Sequence, residues 1–142
     1  NDELPLFVVK LLVKRSSMTK IKQEISMYER LKDAKHVMHL EEILYDPSLK
    51  LIAYVFPFIH GASKHVINTF NESEVKLYTK QLLIGLDELH SKGILHRDLC
   101  YNNILIDHQH KKLTVFDLSL AEFYLYGKVR HFNSSHLFIS KL

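Results

Sequence analysis

Between Gly93 and Asp107 the chain reads GILHRDLCYNNILID, and no other stretch restricts the fold as strongly. His96, Arg97, Asp98, Asn102 and Asn103 crowd between two short apolar runs. Ahead of them lies the clearest helical pattern in the chain, SEVKLYTKQLLIGLDELHSKG. Val75, Tyr78, Leu82, Leu86 and Leu89 form its apolar stripe, with Ser73 the expected N-cap and Gly93 the expected end. Behind them come NILID and KLTVFDL, two strand-length runs joined by HQHKK. Elements this apolar bury themselves, so the polar loop has to surface where helix and hairpin meet. Asp98 and Asn103 share that loop, five residues apart, and the hairpin is expected to return Asp117 beside it.

The remaining segments set the fold class. LPLFVVKLLV, Leu4 to Val13, is β-branched and apolar around the single lysine Lys10, which predicts a strand buried on both faces. In SMTKIKQEISMYERLKDA, Ile21, Ile25, Tyr28 and Leu31 fall at helical spacing and predict a helix over 19–33 capped by Ser17 or Thr19. HVMHLEEILYDPSLKLIAYVFPFI predicts two antiparallel strands joined at DPSLK, with Pro47 in the turn. GASKHVINTFNES reads as loop with a short helix, and the tail from Ser119 has no clean period. No internal repeat is visible. Strand, helix, hairpin, long helix, polar loop and hairpin together predict an α+β fold.

Composition excludes several classes. A chain of 142 residues supports one modest domain with a real core. A single cysteine, Cys100, rules out a disulfide framework and points to a reducing intracellular setting, cytoplasm or nucleus. The net charge of +3 is too small to argue a nucleic-acid partner. No apolar run approaches the roughly 18 residues of a membrane helix, and no signal-peptide pattern opens the chain. An opening Asn in place of Met is expected of a processed product or a fragment. The closing Ser140, Lys141 and Leu142 spell a peroxisomal address, which competes with the cytoplasmic expectation.

Two carboxylates and an amide around one loop suit divalent-metal and phosphate chemistry. Mg²⁺ takes oxygen ligands and keeps phosphate oxygens as partners. Asp117 and Asn103 can supply such ligands, and Asp98 can orient an attacking hydroxyl. Lys10 could reach the phosphates with Glu24 holding it as an ion pair, since a buried lysine without a partner is costly. Plainer roles compete: a polar loop with a strand-end cap for the first three, a lysine reaching the surface, and a Glu24–Lys20 pair on one helix face. DHQH, Asp107 to His110, could hold a metal but sits in a turn without a nearby cysteine. His96 reads as a packed loop residue and Cys100 as a small one.

HRDLCYNNIL resembles the catalytic loop H-R-D-L-x-x-x-N of eukaryotic protein kinases. VVK resembles the motif of the kinase strand lysine, and VFDLS lies where kinases carry D-F-G. KIKQEI and IDHQHKKLTVFDLSLAEFY most resemble the catalytic subunit of casein kinase II, with spacings that agree from Lys10 to Tyr124. The resemblance implies a partial kinase-like fold. Residues 1–59 would be an N-lobe without its Gly-rich loop, and 60–142 the first part of the C-lobe. It implies ATP and Mg²⁺ as cofactors and an acidic protein as substrate. Lys10 would contact the α- and β-phosphates and pair with Glu24. Asp98 would accept the substrate hydroxyl proton, and Asn103 and Asp117 would hold Mg²⁺. Phe56 would stand at the back of the nucleotide pocket, with the Pro57 carbonyl and the Ile59 amide facing adenine.

The departures predict weak catalysis. Nine residues precede Lys10 and none is glycine, so the amides that would cover the phosphates are missing. Cys100 stands where serine/threonine kinases usually place a lysine, and Leu118 and Ser119 follow Asp117 in place of Phe and Gly. SSHLFISKL carries no A-P-E, and the helical half of a C-lobe is not in the chain. The long helix is therefore expected to expose its stripe, which implies low solubility, a protein partner or a longer parent protein. Lys14, Arg15, Lys20, Lys22 and Arg130 are a thin version of a cluster for acidic substrates. The rivals to a slow kinase are a pseudokinase that docks a partner with weak or no nucleotide binding, and a non-functional gene fragment.

Overall fold

A computed structural model describes residues 4–12 and 17–124. Lys14, Arg15, Arg130, the segment in the A-P-E position and the closing Ser-Lys-Leu lie outside them. The strands β1 (Phe7–Leu12), β2 (Glu42–Asp46) and β3 (Leu51–Pro57) form an antiparallel sheet in the order β1-β3-β2. Helix α1 (Met18–Arg30) covers one face. The short α2 (Lys64–Ile67) and the long α3 (Glu72–Ser91) follow, then β4 (Ile94–Leu95), the hairpin of β5 (Ile104–Asp107) and β6 (Lys112–Val115), and β7 (Glu122–Phe123), which pairs with β4.

The predicted first strand needs correction. It starts at Phe7 rather than Leu4 and is not buried on both faces: among the described residues it pairs only with β3, and Val9 is 54% and Leu11 62% exposed. Burial on two faces belongs to β3, the central strand, where Ala53, Tyr54, Val55 and Phe56 are all buried. Pairing of Lys10 with Tyr54 sets the register. The hairpin turn is held by Asp46, whose Oδ1 accepts from the Ser48 amide at 2.8 Å, its hydroxyl at 2.6 Å and the Leu49 amide at 3.1 Å.

Helix α1 starts one residue earlier than expected and stops three earlier. Ser17 is its cap, accepting from the Lys20 amide at 3.3 Å. Its buried side presents Tyr28, whose ring meets Phe56 edge-on at 5.5 Å and Tyr54 at 6.2 Å. Tyr54 is fully buried, and its hydroxyl donates to the Ile21 carbonyl at 3.3 Å. Burial pushes both tyrosine hydroxyls well above the ordinary range, so both remain protonated.

The cap of α3 is Asn71, not Ser73. Asn71 accepts from the Glu74 amide at 3.0 Å, and the Glu74 carboxylate accepts from the Asn71 amide at 3.1 Å. This reciprocal box satisfies two orphan donors, which Ser73 cannot do from inside the first turn. At the other end Gly93 follows the C-cap with φ 71°, a left-handed turn that glycine adopts freely.

The expected exposure of the α3 stripe holds at Val75, which is 51% exposed, and is corrected at its other four members. Tyr78 and Leu89 are buried, and Leu82 and Leu86 are half-buried in the core. The exposed apolar face lies beside them, where Val75, Leu83 and Ile84 line a shallow concavity of about 520 Å³. The core side is covered because Gly85 lets the segment after α1 approach: a Cβ there would sit 3.0 Å from the His36 carbonyl oxygen. Glu88 then accepts from the Lys35 and His36 amides at 2.8 and 2.9 Å. The same segment joins β6, with the Met38 amide on the Val115 carbonyl and the Val115 amide on the His36 carbonyl, both at 2.8 Å. One continuous core thus runs from the sheet and α1 through Val37 and Val115 to Leu89, Ile94 and Leu118.

Candidate active site

Lys10 is the one charged side chain of β1, and its strand register turns it toward α1 and the end of the β5–β6 hairpin. Its ammonium donates to Asp117 Oδ1 at 2.8 Å and stands 3.7 Å from Glu24 Oε1. The second distance is an ion pair rather than a hydrogen bond, and Glu24 Oε1 is buried with no hydrogen-bond partner. Glu24 therefore pairs with Lys10 and not with Lys20, as the plainer alternative had it. Burial raises the Glu24 carboxyl above its usual range; Lys10 pulls it partly back, and the Asp117 charge adds to the rise. Burial also raises Asp117, but the Lys10 hydrogen bond and charge, helped by Ser119, outweigh it and leave Asp117 below its usual range. One lysine so holds two carboxylates of different character.

Asp117 has φ 65°, unusual for a residue with a side chain. Three contacts hold the turn. The Ser119 amide donates to Asp117 Oδ1 at 3.2 Å, the fully buried Leu118 packs in the core, and the Leu118 amide approaches the Tyr28 hydroxyl at 3.5 Å. Leu118 thereby links the position of Asp117 to that of α1, which carries Glu24.

The second half of the site is the loop. Asn103 is buried, and its Nδ2 donates to both the carbonyl and the Oδ2 of Asp98 at 2.8 Å. Asp98 itself is exposed. His96 is buried as expected. Its Nε2 meets the Phe116 carbonyl at 2.9 Å and its Nδ1 accepts from the Asp98 amide at 3.3 Å, so the proton sits on Nε2. The Phe116 amide donates to the Asn103 carbonyl at 3.0 Å. Both halves meet at Phe116, next to Asp117.

Phe56 is buried against Tyr28 and Tyr54. Pro57 ends β3 opposite Phe7, and the Phe58 amide continues the pairing to the Leu6 carbonyl at 2.9 Å. Ile59 is half-buried beyond it. These three stand at and just beyond the end of β3. In the DHQH turn, His110 pairs with Asp107 at 2.7 Å, and His108 meets the Tyr78 hydroxyl at 3.0 Å.

A clamped lysine beside a carboxylate, joined to a loop aspartate and asparagine, matches what phosphoryl transfer requires. The family model for the protein kinase domain matches residues 2–140. The chain belongs to the protein kinase family. This kinase carries a partial α+β version of the fold, and the match spans nearly the whole chain.

Two contacts of the kinase site had no signal in the sequence. Tyr28 read only as part of an apolar stripe, and its role at Leu118 depends on a residue ninety positions away. Glu122 lay in a stretch without period, yet it forms an ion pair with Arg97, the neighbour of Asp98.

Proposed function

We propose that this kinase transfers the γ-phosphoryl group of ATP to Ser or Thr hydroxyls of acidic proteins, in the manner of casein kinase II, and that the chain alone does so slowly. The observation that carries this is the clamp of Lys10 between Asp117 and Glu24, tied through Phe116 to the Asp98–Asn103 pair. The donor set fits Mg²⁺. Asn103 spends its Nδ2 on Asp98, which leaves Oδ1, and Asp117 spends Oδ1 on Lys10 and Ser119, which leaves Oδ2. These two residues would hold the ion, which when bound neutralises charge on the nucleotide phosphates.

Lys10 would turn from Asp117 to the α- and β-phosphates, with Glu24 keeping its ammonium in place. Asp98, exposed and steadied by Asn103, would accept the hydroxyl proton of the substrate. At the end of β3, under Phe56, the Pro57 carbonyl and Ile59 amide would face adenine. Lys20 and Lys22 are exposed on α1 and support a preference for acidic substrates. Slow turnover follows from Cys100, which puts no cation where transferred charge develops.

The test pairs a thermal-shift titration of ATP and Mg²⁺ with transfer from radiolabelled ATP to an acidic peptide. Stabilisation that disappears in Asp117→Ala, with slow transfer, is the expected result. Stabilisation without transfer selects the pseudokinase reading. No stabilisation removes ATP binding from the proposal, and fast transfer overturns the expectation of a poor catalyst.

A further inference from the structure

Arg30 is the last residue of α1, and its side chain is exposed. The guanidinium lies over the Phe123 ring, 4.4 Å from the ring centre, and Nη1 reaches the Lys92 carbonyl at 3.5 Å. A cation over an aromatic face is attracted by the negative π cloud. Lys92 is the C-cap of α3, so the same charge stands at the C-terminal, negative ends of two helices. One side chain thus joins α1, which carries Glu24, to α3 and β7.

Phe123 gives the cation a fixed platform. It stands opposite the fully buried Ile94 in the β4–β7 pair. The Tyr124 amide donates to the Gly93 carbonyl at 2.9 Å, and the Tyr124 hydroxyl to the His90 carbonyl at 3.0 Å. The Ala121 amide donates to the Leu118 carbonyl at 3.0 Å. Helix α1 meets this half of the molecule through side chains, and the approach of the Tyr28 hydroxyl to the Leu118 amide is long at 3.5 Å. Glu24 stands six residues up from Arg30, about 9 Å along the helix axis. Its Oε1 lies 3.7 Å from the Lys10 ammonium with no hydrogen bond to fix it, so the pair follows small changes in the tilt of α1.

We propose that Arg30 is a positioning residue. Its guanidinium on the Phe123 ring holds the C-terminal end of α1, and through the helix it sets the reach of Glu24 to Lys10. The link to nucleotide rests on Lys10 as the phosphate contact; the hold on Glu24 does not. Because Arg30 is exposed, its replacement leaves the core packing in place, and its effect is read at Lys10 rather than in global stability.

The Lys10 amine reports the clamp directly, since a less tightly held amine is acylated faster. The full chain is treated briefly with acetic anhydride and read peptide by peptide by mass spectrometry, with the exposed Lys112 as internal standard. Arg30→Met and Phe123→Leu are each expected to speed Lys10 labelling about two- to fivefold, the reach of an exposed cation–π contact. The double variant should be no faster than either single one. Arg30→Lys and Phe123→Tyr, which keep the cation and the ring, should return most of the protection. In a Glu24→Gln background Arg30→Met should add nothing, because its effect passes through Glu24. Unaltered Lys10 labelling in Arg30→Met would overturn the proposal, and so would a speeding that persists in full in Glu24→Gln, the mark of general loosening. In the thermal-shift titration Arg30→Met should weaken ATP–Mg²⁺ binding by a similar factor. The labelling pattern with no ATP–Mg²⁺ shift, or with one that Arg30→Met leaves unaltered, supports the hold on Glu24 and counts against Lys10 as the phosphate contact.

Discussion

Replacing Lys10 with Met removes the cation that two carboxylates share, and the cost should depend on pH in a direction the geometry dictates. At 2.8 Å the Lys10–Asp117 attraction is about 1.5 kcal/mol in bulk water and about 6 kcal/mol at an effective dielectric of 20. Both side chains are about a third exposed (34% and 32%), so solvent screens the pair toward the lower value. A coupling of about 1–2 kcal/mol is expected. Asp117→Asn should cost about 1 kcal/mol, because Lys10 keeps Glu24. Lys10→Met should cost about 2 kcal/mol at pH 7, because it leaves Glu24 largely buried beside a second carboxylate with no cation.

Two carboxyls set the pH dependence. Glu24 already titrates above its reference of 4.5 through burial, and losing Lys10 raises it further. A raised carboxyl favours the folded state below its unfolded pKa, and that stability is lost as pH rises through the folded value. Lys10→Met should therefore regain stability on acidification from pH 7. Asp117 behaves oppositely in the unaltered chain. Its depressed pKa gives stability present above about 3.9, its unfolded value, and lost as pH falls through the folded one. Both effects narrow the gap between the two proteins in acid. Urea unfolding of the four members of the Lys10→Met/Asp117→Asn cycle, at steps between pH 7 and about 3, measures this. A gap that stays constant, or a double variant whose cost is the plain sum of the singles, would refute the shared clamp.

Two further substitutions probe how the site is supported. Leu118→Ala empties a fully buried position between Asp117 and α1, and should lower urea stability by about 2–4 kcal/mol while weakening any ATP–Mg²⁺ thermal shift. Gly85→Ala gains about 1 kcal/mol in helix propensity. The new methyl group meets the His36 carbonyl oxygen at 3.0 Å, so a lower melting temperature is expected in spite of that gain.

Local signals in the chain were strong where one element carries its own pattern. The α1 stripe, the turn at Asp46, the end of α3 at Gly93 and the β5–β6 hairpin all follow from spacing and turn chemistry within a few residues. The α3 cap was misplaced by two residues because Asn71 and Ser73 are both good caps, and only Glu74 reaching back selects Asn71. The first strand misled for a different reason. VVKLLV is as apolar as a central strand, but burial depends on what covers a strand, and among the described residues β1 has one neighbouring strand.

The order of residues by itself determined the chemistry available: a lysine on a strand, a glutamate on the next helix, an aspartate and an asparagine five apart on a loop, and an aspartate after a hairpin. Only the tertiary structure decided the partnerships. That Lys10 lies closer to Asp117 than to Glu24, that Tyr28 reaches Leu118, and that Glu122 meets Arg97 are consequences of packing between elements far apart in the chain. Patterning tells an element which face to bury. The element that covers that face, and so the side chains brought within bonding distance, is settled when the faces compete for one core.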